Sequence, residues 1–526
     1  MTGSQIQTWS LSCLAVGFIA SSLGAQDRGE RGAFLMRNGS DTIVIERFSR
    51  TADTLQGSIA LKGQPRQDYV AVLESGGHVA SLTINIFAAG SADTAPVRRA
   101  RMVMRGDSVV ADVSGRTQRF AVRPGAIPLL NNSFALAEIF TRRARASHDS
   151  ADVDVWTLAG AVPLMVALRP AGADSMTLTV GGAVERLRVD QAGLILGGLI
   201  PAQHIEVERV GASVAATLHL GATDYSAPVG APYTAIEVKL AGPGGIPLGG
   251  TLTVPRDARG RLPAVVTITG SGQEDRDEYI PVAGGYRPFR QVADTLGRRG
   301  IAVLRLDDRT VGASGGTLGT SADYADDIRA AVAYLRTRPE IDGDRIALLG
   351  HSEGGMIAPM VAATDPRLRG IVLMAGPAEN GLEIIHYQQR NAIEHDSTTP
   401  AAARDSLIRA AATTLDSTAR TSAWLNFFLH YDPLATARRV RTPVLILQGA
   451  TDHQVTPDQA EKLAAAFRAG GNNQVTVRIF PGLDHLFVPD PSGQPADYVS
   501  LPSSRVTPEV LGTIADWLAT KFGIGK

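Results

Sequence analysis

Two serines in this chain sit between small residues at the same spacing. Gly350-His351-Ser352-Glu353-Gly354 and Gly312-Ala313-Ser314-Gly315-Gly316 both fit Gly-x-Ser-x-Gly, in which the glycines leave room for a sharp turn that exposes a hydroxyl. The chemistry on offer is nucleophilic attack on an acyl carbon. A serine hydroxyl is too weak for that unless a base takes its proton and an acid fixes the base's tautomer. With 55 glycines in 526 residues, the pattern arises by chance roughly once in every few chains of this length. Spacing alone cannot choose between the two serines.

The flanking elements can. A strained turn of this kind needs a buried strand before it and a helix after it, so that the hydroxyl projects at a helix N-terminus. Ser352 has both, in the strand Arg345 to Leu349 and the helical "MIAPMVAAT". Ser314 instead trails the strand "IAVLRLD" and leads into "GTLGTS", so it is expected in a flexible loop at the same sheet edge. Ser352 is the predicted nucleophile. Asp452 in "VLILQGATDHQVTP" and His485 in "VRIFPGLDHLF" follow later strands, in the order Ser, Asp, His that this architecture requires. Their neighbours His453 and Asp484 would need one-residue slips. His351 should diverge from Ser352 and serve packing, and His386, His395 and His430 lie in a helix-rich segment. The developing oxyanion needs two backbone donors. The N–H of Glu353 supplies one, and Ser271 in "TGSGQEDRDE" the other, with Gln273 as the alternative. Asp275, Arg276 and Asp277 are expected to lock that loop by ion pairing.

Beyond the Pro/Gly-rich stretch Tyr225 to Thr234 the chain alternates strand and helix. "PAVVTITGSG", "IAVLRLD", "RIALLG", "GIVLMAG", "PVLILQG" and "VTVRIF" read as strands separated by helical segments. Such alternation predicts a mainly parallel sheet with helices on both faces and a site at the carboxyl ends of its strands. Residues 379–439 interrupt it as a helix-rich cap carrying "WLNFFLHYDP", whose aromatics should mostly pack the cap onto the body. Residues 27–224 read differently. "LTINIF" alternates faces with period two, and Gly106-Asp107 and Gly181-Gly182 are tight-turn signals between strands. A mostly antiparallel β domain follows, a sandwich or a strongly curved sheet, interrupted by one helix from Ser133. Among its histidines, His78, His148 and His204 are scattered and lack ligand spacing.

Composition narrows the classes further. Lys plus Arg number 51 against 52 Asp plus Glu, without a long run of either sign, which argues against nucleic acid and against a membrane surface as partners. Residues 1–25 carry no charged side chain and end in small residues, as a signal peptide does, so export to the periplasm or beyond is expected without stable membrane insertion after cleavage. The single cysteine, Cys13, falls inside that segment. The remaining chain offers no thiol for disulfides, nucleophilic catalysis or metal binding.

From about Tyr233 to Phe522 the chain resembles the α/β-hydrolase superfamily, and within it exported bacterial hydrolases of the serine aminopeptidase-like and carboxylesterase group. The resemblance rests on "GSGQEDRDE", "GHSEGG", "YDP", "GATDHQVTP" and "PGLDHLF", in that order. It implies the α/β-hydrolase fold over residues 225–526, a triad of Ser352, Asp452 and His485, and no metal or cofactor. The substrate implied is a small acyl ester or a short peptide, and an acyl thioester is a further alternative. A peptidase would need carboxylates to hold the substrate ammonium, for which Glu353, Glu379 and Glu383 are the candidates. The remote alternative is a binding protein whose β domain does the work.

Overall fold

The computed structural model describes residues 29–525 apart from 39–40, 63, 75–76, 88–94, 97, 114, 124, 148–149, 158–159, 181–182, 202–204, 222, 257–259, 396–400 and 421. The apolar N-terminal run with Cys13, the Gly181-Gly182 turn, His148 and His204 lie outside the described residues.

The N-terminal region forms one sheet of fifteen strands. Its middle is the antiparallel pair of β1 (Glu30–Asn38) and β15 (Ile205–Gly211). From there the order runs through sequence neighbours to β8 (Arg116–Ala121) at one edge, and on the other side to β10 (Ala151–Thr157) and β9 (Ile127–Pro128). The final pair, β9 with β10, is parallel. Helix α1 (Phe134–Ala146) begins where the Ser133 hydroxyl accepts the Leu136 N–H, a side-chain cap of the usual kind. Phe134, Leu136 and Phe140 share one core with Phe34 and Leu82 from one half of the sheet and Val166 and Leu178 from the other. Of the two expected forms, this is the strongly curved sheet, wrapped around a helix. The helix supplies the apolar filling that a second sheet would supply in a sandwich.

After the short turn α2 (Ala212–Ala215) the second sheet begins. Its strands are β16 (Tyr233–Ala241), β17 (Pro247–Pro255), β18 (Leu262–Ile268), β19 (Ala302–Leu306), β20 (Ile341–His351), β21 (Gly370–Met374), β22 (Val444–Gly449) and β23 (Val475–Phe480). They lie in the order β16-β17-β19-β18-β20-β21-β22-β23. From β19 to β23 all neighbours are parallel. The β16–β17 hairpin joins antiparallel at one edge and was not legible as strand: β17 contains Gly249 and Gly250, which weaken a strand signal. Both are needed, since a Cβ would strike Ala313 at the first and the Arg305 carbonyl at the second. Part of the supposed linker, Tyr233-Thr234, belongs to β16.

Strands β18, β19, β21 and β22 are buried along their whole length, as expected of a sheet covered on both faces. Ala264, Val266 and Leu348 pack one face, Val265, Ala347 and Leu349 the other. The covering helices include α3 (Pro288–Arg298), α4 (Ser321–Thr337) and α5 (Glu353–Ala362). Four helices fill the interval between β21 and β22: α6 (Gly381–His395), α7 (Ala401–Ala419), α8 (Ala423–His430) and α9 (Pro433–Ala437). The chain crosses from β18 to β19 on one side and returns to β20 on the other, so the loops after β18 and β20 diverge and leave a crevice. Among the described residues no helix is long and apolar enough to cross a membrane.

Candidate active site

Ser352 opens α5 with φ 52° and ψ −118°, a left-handed backbone that costs a non-glycine residue roughly 1–3 kcal/mol. The surrounding glycines make that turn possible. A Cβ on Gly350 would collide with the Gly354 carbonyl, and one on Gly354 with the Ile268 carbonyl of the neighbouring strand. Ser352 lines a cavity of about 310 Å³ with His485, Ser271, Glu353, Glu278 and Trp424. Its hydroxyl makes no hydrogen bond to another described residue.

Asp452 and His485 come together as the sequence order implies. His485 Nδ1 lies 2.8 Å from Asp452 Oδ2, which makes Nδ1 the protonated nitrogen and leaves the Nε2 lone pair unprotonated. The carboxylate is fully engaged: Oδ2 also accepts from Gln448 Nε2 at 2.8 Å, and Oδ1 from the backbone N–H groups of Gln454 and Val455 at 2.7 and 2.9 Å. The decoys go elsewhere. His453 meets the Tyr387 hydroxyl at 2.8 Å, and His395 and His430 bond backbone carbonyls of their own helices. Asp484 closes a turn by accepting from Leu486 and Val488 N–H; burial raises its carboxyl to about 6.

His351 is more than a packing residue. Its Nδ1 bonds the Glu278 carboxylate and its Nε2 lies 3.0 Å from the His485 carbonyl oxygen. The two imidazole rings lie 4.8 Å apart between centroids, tilted at 47°. His351 is fully buried, and although burial alone would lower its pKa, the Glu278 carboxylate raises it. The side chain thus ties the loop after β18 to the loop that carries His485. Sequence reasoning missed Glu278. The signal available was an acid closing "DRDE", in a segment where ion pairing was already expected.

The loop after β18 carries Ser271 and is locked as anticipated. Arg276 donates to Asp307 at 2.9 and 2.7 Å and to Glu237 at 2.7 Å, and its guanidinium lies 4.1 Å over the Tyr225 ring. Asp277 pairs with the buried Arg305, whose pKa burial lowers to about 10. Asp275 accepts from Tyr279 N–H at 3.0 Å and from the Tyr225 hydroxyl at 3.1 Å. The Gln273 side chain donates to Thr310 at 2.6 Å, and Ser271, not Gln273, lines the cavity beside Ser352. The Glu353 carboxylate is also engaged: it accepts from Ser321 at 2.5 Å and from the Trp424 indole N–H at 2.9 Å. Burial holds its pKa above the usual carboxylate range.

Two expectations need correction. Ser314 is not in a flexible loop: it is buried, donates to the Asp307 carbonyl at 2.7 Å and accepts from Gly249 N–H at 2.9 Å, because the β17–β19 edge needs a polar bridge there. Glu379 and Glu383 do not reach the cavity. Glu379 pairs with Lys462 at 2.5 Å, and Glu383 is exposed in the first turn of α6. The cap aromatics Trp424, Phe427, Phe428 and Tyr431 all pack with the core as expected, and Trp424 and Phe428, stacked at 5.5 Å, line the cavity as well. Among the described residues no cluster of His, Cys, Asp and Glu could hold a metal ion.

Comparison with known proteins adds the following. Residues 283–492 match the family described as serine aminopeptidase, S33. The chain is 28% identical to the esterase EstD of Thermotoga maritima over 304 residues, 56% of this chain and 71% of that protein. It is 27% identical to dipeptidyl aminopeptidase BIII of Pseudoxanthomonas mexicana over 45% of this chain and 33% of that one. It is 33% identical to the thiohydrolase apmlB of Arthrinium phaeospermum over 22% of this chain and 35% of that one. Among solved structures, the Pyrococcus furiosus esterase Pf2001 superposes with a TM-score of 0.40 at 16% identity, covering 57% of this chain and 95% of that one.

Proposed function

We propose that this chain, a serine hydrolase of the α/β-hydrolase fold, cleaves carboxylic esters through Ser352, His485 and Asp452. The observation that carries the reading is the convergence on one cavity of a serine on a strained elbow and a histidine whose tautomer a buried carboxylate fixes. His485 Nε2 takes the Ser352 proton as Oγ attacks the acyl carbon, and Asp452 stabilises the imidazolium. The backbone N–H groups of Glu353 and Ser271 receive the oxyanion. His485 then protonates the departing alcohol, and water, activated by the same base, releases the acid from the acyl-enzyme.

Ester cleavage is favoured over peptide cleavage because the acids proposed to clamp a substrate ammonium are not free to do so. Glu353 already receives two protein donors, Ser321 and Trp424, and Glu379 is paired with Lys462. The testing experiment sets p-nitrophenyl acetate and its thioester analogue beside aminoacyl p-nitroanilides. Efficient hydrolysis of the anilides with poor ester turnover would replace this reading with a peptidase. We also place the mature enzyme outside the cytoplasm, on the strength of the uncharged apolar run at residues 1–25; recovery of the intact N-terminus from the cytoplasmic fraction would refute that placement.

A further inference from the structure

A second cavity, of about 340 Å³, lies next to the first. Leu61 and Gln64 of the β domain form one side, and Gln273, Glu274, Tyr279 and Ile280 from the loop after β18 form the other. Glu274 and Ile280 also line the cavity at Ser352. These two side chains are what the spaces have in common. The backbone around them is fixed, since Arg276 and Asp277 are locked to Asp307 and Arg305 on β19 and its following loop. The Glu274 side chain is not. Its backbone N–H is bonded to Asp308 at 3.1 Å, but its carboxyl makes no hydrogen bond to another described residue. No hydrogen bond therefore restrains its torsions at the boundary that the two spaces share.

We propose that the two cavities form one substrate site, in which Leu61 and Gln64 of the β domain hold the far end of an elongated acyl ester bearing uncharged hydrogen-bonding groups such as amides or hydroxyls. This deepens the ester reading and rests on it. Each volume is at the small end of the roughly 300–1,000 Å³ typical of ligand sites, and together they remain within it. The chemistry of the lining selects the class. Leu61, Tyr279 and Ile280 give the second space an apolar wall. Its polar groups are the amides of Gln64 and Gln273 and the carboxyl of Glu274. Burial, and then the nearby Glu278, Asp308 and Asp275 carboxylates, raise Glu274 to about 9, so at neutral pH it is an uncharged group that both donates and accepts. No Lys or Arg lines either cavity, which leaves no partner for an anionic tail. The β domain is anchored at this rim by Gln64 Nε2, which donates to the Gln273 carbonyl at 3.3 Å. That contact gives the domain a place in substrate binding while leaving the reacting groups entirely to the other sheet.

The experiment compares p-nitrophenyl acetate with three p-nitrophenyl esters of equal acyl length: an N-acetylglycylglycine chain, a plain alkyl chain and a chain ending in an ammonium. The full-length enzyme and its Leu61→Trp and Gln64→Ala variants are assayed in parallel. The expected result is a kcat/KM for the amide-bearing ester at least about tenfold above its alkyl counterpart. Leu61→Trp, which fills the space, should cut the ratio of amide-bearing ester to acetate at least about fivefold. Gln64→Ala should cut it about threefold, and it gives the same readout if the tryptophan variant does not fold. Ratios unchanged in a folded variant would overturn the proposal, as would preference for the ammonium-bearing chain or for the alkyl chain. Failure of the ester reading looks different: none of the four esters, acetate included, would then show turnover that depends on Ser352.

Discussion

The two domains bury carboxylates in different company. In the β domain Glu46 accepts from the Ser133 and Tyr69 hydroxyls at 2.5 and 2.6 Å and from the Ala135 N–H at 3.0 Å, and Glu138 pairs with Arg50 at 2.9 Å and with Arg209. These acids grip helix α1 within a filled core, and none borders either cavity beside Ser352. In the hydrolase domain Asp452, Glu278 and Glu353 are as deeply buried, yet the groups they hold face a cavity. A buried carboxylate is costly in both places unless its bonding is satisfied. What separates scaffold from chemistry is whether the satisfied acid orients a group toward open space. The backbone agrees: of the six non-glycine residues with positive φ among the described residues, five (Glu278, Thr310, Ser352, Ala375 and Phe487) lie in the second domain, in segments adjoining its strand ends.

The sharpest break in that contrast is Ser352→Ala, which should lower kcat for p-nitrophenyl acetate by at least about three decades; it should also abolish labelling by a fluorophosphonate, read by intact mass. Activity near wild type in that variant would leave the second domain's buried acids as scaffold too. Next comes the pair that joins two loops. Glu278→Ala and His351→Ala should each lower kcat about 10–100-fold with KM changed less than about threefold, and Glu278→Asp and His351→Gln should recover part of the loss. Equal losses in the conservative and alanine variants would make the pair purely structural.

Acids that only grip should be read in stability. Burial raises the Glu46 carboxyl to about 7, above the unfolded value of 4.5 given for glutamate. The folded state therefore holds a proton that the unfolded state releases. The associated stability is fully present below the unfolded pKa and is lost as pH rises through about 7, a difference of about 3 kcal/mol. Denaturant titrations between pH 5 and 8 should show that fall in the native chain and not in Glu46→Gln, with acetate turnover alike in both. The smallest effect expected is that of Ser314→Ala. Removing a buried hydroxyl that both donates and accepts should cost about 1–3 kcal/mol of stability, with turnover per folded molecule little altered, as thermal unfolding and active-site titration would show.

Legibility followed the range of the interactions. The helix from Ser133, the Gly106-Asp107 hairpin and the strands from β18 onward were readable because periodicity, caps and turns are local. Ser352 was readable because its strand, turn and helix are contiguous. The β16–β17 hairpin was not, since its glycines answer to Ala313 and the Arg305 backbone, far along the chain. Ser314 was misjudged for the same reason: glycine-rich composition looks flexible until Gly249 and the Asp307 carbonyl are brought against it.

By itself the sequence determined the fold class of the second half, the strand–turn–helix setting of Ser352 as against Ser314, and the place of Asp452 and His485 after later strands, because each follows from residue types and chain order under a fixed strand-crossover rule. Only the tertiary structure decided that His351 reaches from Glu278 to the His485 carbonyl and that Glu353 is occupied by Ser321 and Trp424. It alone set Leu61 and Gln64 beside the loop that borders Ser352. Those partners lie tens to hundreds of residues apart, and no local pattern encodes a contact that exists only after two sheets have closed and docked.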